Sequence, residues 1–133
     1  MPDTCEIGDS FYITDHRDRH RWVVITRPNK DSKVVIVNFT SVASHKECVV
    51  LFQPKDDARL FDRLTTVAYD YAELADITKL AKHRNDGYCC CKPEYVQRIV
   101  KGAFQSQFMQ LEIITELKEQ YPAECAKYYS ENI

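Results

Sequence analysis

Trp22-Val23-Val24-Ile25-Thr26 and Val34-Val35-Ile36-Val37-Asn38-Phe39-Thr40 are the two stretches on which the fold turns. Both are rich in β-branched and aromatic residues and too short for an ordinary helix, so they read as strands. Between them lies Arg27-Pro28-Asn29-Lys30-Asp31-Ser32, a run of turn formers that makes the pair a hairpin with a medium loop. The apolar runs are continuous rather than alternating, the pattern of strands covered on both faces.

Three more strand candidates flank this hairpin: Phe11-Tyr12-Ile13 after Gly8-Asp9, Cys48-Val49-Val50-Leu51-Phe52 ended by Pro54, and Leu64-Thr65-Thr66-Val67-Ala68-Tyr69. The second half has helical spacing. Lys92-Pro93-Glu94 opens a helix that carries Val96, Ile99, Val100 and Ala103. Ser106 reads as the N-cap of a second helix with Phe108, Leu111, Ile114 and Leu117, stopped by Pro122. Residues 71–82 fit either a helix or an extended connection. The expected class is mainly β with C-terminal helices (α+β): a small antiparallel barrel or sandwich over residues 7–70 and a helical part over 71–133.

At 133 residues the chain has the length of one domain, and 44% hydrophobic with 29% charged residues excludes a disordered tail. No apolar run approaches the roughly 20 residues of a membrane span. Met1-Pro2-Asp3-Thr4-Cys5-Glu6 lacks the basic and apolar regions of a signal peptide, so the expected location is cytoplasmic. Six cysteines (5, 48, 89, 90, 91, 125) then read as reduced thiols. The clump Cys89-Cys90-Cys91, with His83 upstream, does not match the paired spacing of a structural zinc site, and no metal or other cofactor is expected.

The net charge of −2 hides an asymmetry. Residues 15–46 hold seven Lys/Arg against three Asp, and residues 107–133 hold five Glu against two Lys. The densest polar cluster is Asp15-His16-Arg17-Asp18-Arg19-His20-Arg21, between the first two strands. It has no glycine-rich phosphate loop and no carboxylates at metal spacing. Imidazole moves protons near neutral pH, and guanidinium grips phosphate through a planar fork. Together they are a minimal kit for cleaving RNA without metal: a base for the ribose 2′-hydroxyl, a cation for the phosphoryl oxygens and an acid for the leaving 5′-oxygen. A hairpin of the second and third strands puts Arg21 and Thr40 at one rim, where the Thr40 hydroxyl is expected to share a phosphate with Arg21. His45 follows as a further rim candidate, and His83 reads as loop surface.

These motifs resemble the MazF/PemK family of toxin endoribonucleases. Gly8-Asp9 precedes the first strand, as in that family. Arg21-Trp22-Val23-Val24-Ile25 stands where the family has Arg-Pro and an apolar strand, and Lys33 to Ser41 where it has an apolar strand ending in Thr or Thr-Ser. Leu64–Tyr69 and Pro93–Phe104 match a later strand and helix, so the likeness spans residues 7–104. It implies a small SH3-like or PemK-like barrel with packed helices, and Arg21 and Thr40 as catalytic residues; His20 beside Arg21 is this chain's own alternative proton carrier in place of the arginine. It also implies single-stranded RNA held in a groove, with unstacked bases resting on Tyr12, Trp22 or Phe39; Arg17, Arg19, His16 and Ser41, from the polar cluster and the rim, are the candidate RNA-binding residues. A homodimer and an antitoxin with an acidic tail are the implied protein partners, with no membrane. The chain departs from the pattern in lacking loop glycines, in Trp22 where the family has Pro, and in a tail beyond Ser106 without a counterpart. The residues leave two other functions open: a non-catalytic SH3-like module binding RNA or protein, and a thiol or zinc protein built on Cys89–Cys91.

Overall fold

The computed structural model describes residues 5–15, 18–44 and 46–131. Its elements run β1 (Asp9–Asp15), β2 (Asp18–Val24), β3 (Lys33–Ser41), β4 (Thr65–Asp76), α1 (Ile77–Ala81), β5 (Cys89–Cys90), α2 (Pro93–Gln105), α3 (Leu111–Gln120) and α4 (Pro122–Glu131). The strands form one antiparallel sheet in the order β4-β3-β2-β1-β5. β4 and β5 are its two edges, so the sheet is open, and with four helices the class is α+β.

The central hairpin is as expected, and its unbroken apolar runs have a simple cause. Along β3, Val35, Val37 and Phe39 enter a core against α2, α3 and α4, while Val34 and Ile36 enter a second core on the opposite face. Val23 and Val24 divide in the same way. The alternation of a strand is present, but both faces are covered. The connection at 25–32 is held by α3: the Gln120 side chain accepts from the Arg27 amide and donates to its carbonyl, both at 2.8 Å.

The main core joins sheet to helix at one tight point. The buried Tyr69 hydroxyl donates to the Ile99 carbonyl at 2.7 Å. A Cβ on Gly102, one turn on in α2, would lie 2.3 Å from that phenol oxygen. Glycine therefore sits inside a helix, despite its low propensity there, because β4 comes too close for a side chain.

Several boundaries differ from expectation. Residues 48–52 form no strand beyond a single bridge between Phe52 and Thr65. The ambiguous segment after Tyr69 continues β4 to Asp76, whose carboxylate caps the short α1 through the Thr78 amide. The sheet thus passes residue 70, and β5 brings residues 89–90 back to its edge. Ser106 ends α2 rather than opening a helix; α3 starts at Leu111. Pro122 opens α4, since proline at the first helical position loses no hydrogen bond.

Candidate functional site

β2 and β3 pair Trp22 with Asn38, Val23 with Val37 and Val24 with Ile36. Paired side chains share a face, and faces alternate along each strand. Asn38 and Thr40 therefore lie on the face of Trp22 and His20. Arg21 falls on the other face, with Phe39 and Val23. The hairpin is as expected, and Arg21, His20 and Thr40 all border one cleft at the strand ends, with His20 on the face of Thr40. Adjacent residues of β2 point to opposite faces, so Arg21 and His20 reach the cleft from opposite sides of the sheet.

Arg21 is only 8% exposed. Its Nη1 donates to Ser10 Oγ at 3.0 Å and to the Gly87 carbonyl at 2.8 Å, and the guanidinium lies 4.4 Å from the Tyr12 ring centre. Its buried Nε has no partner among the described residues. Ser10 Oγ in turn donates to the Cys89 carbonyl. Arg21 thus ties β1 to the loop that returns to β5. Gly87 fits there because its φ is +64° and a Cβ would meet the Tyr12 ring at 2.4 Å. Arg21→Ala is expected to lower stability by about 2–3 kcal/mol, since it leaves the Gly87 carbonyl without its donor. The exposed Arg19→Ala should change it by less than about 0.5 kcal/mol. Thermal unfolding of the two variants checks the contrast.

Arg19 also stacks on Tyr12, 4.0 Å from the ring centre, and pairs with Asp86 at 2.6 Å. With Arg21, Arg63 and Ser41 it borders an open cleft at the ends of β2 and β3. A second depression adjoins it, bordered by Asn38, Lys46, Tyr71 and Phe108. His20 and Thr40 line both. The Thr40 hydroxyl accepts from Lys46 Nζ at 2.8 Å, and the same ammonium donates to the Ser41 carbonyl at 3.0 Å. The junction of a guanidinium-rich hollow with an aromatic one thus carries an imidazole, a hydroxyl and an ammonium group. That set can accept a proton and hold an anionic oxygen.

His16, Arg17 and His45 lie outside the described residues. Trp22 and Phe39 are on opposite faces, and Phe39 is packed against Phe52 and Phe61. Tyr12 borders the cleft but is already stacked with two guanidiniums. Among the described residues no three His, Cys, Asp or Glu side chains converge as metal ligands. Cys91 is buried, which pushes its thiol up to about 12, whereas Cys90 is exposed. No helix among the described residues is long and apolar enough to cross a membrane.

Sequence reasoning missed Lys46, Asn38, Tyr71 and Phe108. Lys46 was visible only as one charge of the basic stretch. Tyr71 is turned outward by a bulge: between the pairs Ile36–Glu73 and Asn38–Ala68, one residue of β3 faces residues 69–72 of β4. Comparison with protein-family models, with curated proteins and with solved structures finds no match to this chain.

Proposed function

We propose that the protein is a metal-independent endoribonuclease of the toxin–antitoxin type that cleaves single-stranded RNA in the cytoplasm. The observation that supports this reading is the junction itself: His20 and Thr40 line the same two hollows at the ends of β2 and β3, with Lys46 on the Thr40 hydroxyl and a guanidinium-lined hollow alongside. In this scheme the His20 imidazole removes the proton from a ribose 2′-hydroxyl. The 2′-oxygen attacks the adjacent phosphorus while the Thr40 hydroxyl and the Lys46 ammonium hold the phosphoryl oxygens. The 5′-oxygen leaves, takes a proton from solvent at the open cleft, and a 2′,3′-cyclic phosphate remains. Arg19 and Ser41 hold the flanking phosphates.

Arg21, which the family resemblance makes catalytic, acts here through structure by fixing Tyr12 and the loop at Gly87. The SH3-like barrel, the homodimer and an antitoxin with an acidic covering segment belong to the same proposal. The assay is incubation with single-stranded RNA in EDTA beside DNA of the same base sequence. RNA is expected to be cut and DNA to survive, since DNA lacks the attacking hydroxyl. Cutting of both, or of neither, contradicts the scheme.

A second reading is a non-catalytic RNA-binding module of the same fold. It is favoured by the existing bond between Lys46 and Thr40. Salt-dependent retention of intact RNA would establish it in place of the first.

A further inference from the structure

Three features of the depression beside His20 and Thr40 point the same way. Tyr71 and Phe108 border it and are 67% and 58% exposed, unusual for large aromatic side chains with no described core role. Asn38 also borders it, is only 3% exposed, and its buried Oδ1 has no hydrogen-bond donor among the described residues. A buried carbonyl left without a donor is costly, and such orphans are rare in folded proteins. The depression, about 360 Å³, lies within the range of small-ligand pockets.

We infer that this depression is a nucleobase subsite: one base stacks on Phe108 and Tyr71, and its exocyclic amino group donates to Asn38 Oδ1. The inference rests on the RNA reading of the junction and extends it to a chemical class of base, one with an exocyclic amino group (adenine, cytosine or guanine) rather than uracil. Placement supports it. Asn38 and Thr40 are two residues apart on one face of β3, which spaces their side chains about 6.6 Å along the strand. A phosphate at Thr40 and the base of the same nucleotide at Asn38 fit that interval. An aromatic face accepts any base, whereas a bare acceptor selects for a donor, so stacking gives affinity and Asn38 gives preference. Phe108 lies in the tail beyond Ser106, so the subsite belongs to this chain's own elaboration of the sheet.

The experiment is fluorescence-anisotropy binding, in EDTA, of labelled 2′-O-methyl oligonucleotides that resist cleavage. One probe is oligoadenosine; a second carries purine riboside, which keeps the ring and lacks the amino group; a third is oligouridine. Wild type is expected to bind the adenosine probe at least fivefold more tightly than the other two. Phe108→Ala, at an exposed site, should weaken adenosine binding about tenfold without moving the melting temperature. Asn38→Asp, which keeps the shape and the acceptors, should retain the preference for adenosine over purine riboside, whereas Asn38→Ala should abolish it. If the probes bind and Arg19→Ala weakens them, but Phe108→Ala and Tyr71→Ala do not and the amino group is ignored, the subsite is overturned while the RNA reading stands. If wild type binds none of the probes, both are overturned.

Discussion

RNA cleavage by His20→Ala is expected to fall at least about a hundredfold, the usual contribution of a positioned proton-transfer group. Strand alternation puts this residue, rather than Arg21, on the face of Thr40, and the two line the same hollows. His20→Asn keeps a polar ring-sized side chain but cannot take up the proton, so it should be as inactive as alanine. Thr40→Val should lose less, about tenfold to a hundredfold, because Lys46 remains to hold the phosphoryl oxygens. Initial rates on one RNA, measured beside melting temperatures, separate chemistry from folding. If His20→Ala retains more than a third of the wild-type rate, the junction is not the site of proton transfer.

The second large effect concerns the joint between sheet and helix. Gly102→Ala would normally strengthen a helix by up to about 1 kcal/mol. Here it should destabilise the protein by about 2–3 kcal/mol, since the new methyl meets the Tyr69 oxygen and overpacks the core. A fall in Tm of roughly 10 °C corresponds to that loss in a chain of this size. Tyr69→Phe removes the offending oxygen, after which the nearest ring atom lies 3.2 Å from the added carbon. Tyr69→Phe alone forfeits the bond to the Ile99 carbonyl, about 1 kcal/mol. The double variant should therefore be more stable than the sum of the two losses by at least about 1 kcal/mol. Strictly additive losses would show that the phenol and the glycine do not share that space.

Strand content around the central hairpin was legible because β-branched runs and a turn-rich connection are local signals. The covering of both faces was legible too, since Val34 to Val37 have no polar partner in alternation. Three things were not. The 25–32 connection is held by Gln120 and Tyr121 from nearly a hundred residues away, and no local signal carries that. The bulge at 69–72 is invisible in an apolar run and decides that Tyr71 points outward. Pro122 opens rather than stops a helix because the preceding helix ends at Gln120, a distinction proline alone does not make. The candidate site was half readable. The cluster around His20 stands out by composition, but that His20 and Thr40 line the same hollows appears only in the fold, and Asn38 carries no mark in sequence of its unpaired carbonyl.

The most direct test of the scheme is the chemistry of the fragment ends. Purified protein is incubated with one single-stranded RNA in EDTA, and the fragments are weighed by mass spectrometry. Attack by the 2′-oxygen at the His20–Thr40 junction predicts 2′,3′-cyclic phosphate, or the 3′-phosphate it hydrolyses to, on one fragment and a 5′-hydroxyl on the other. Fragments ending in 3′-hydroxyl and 5′-phosphate, or RNA left whole, would contradict it.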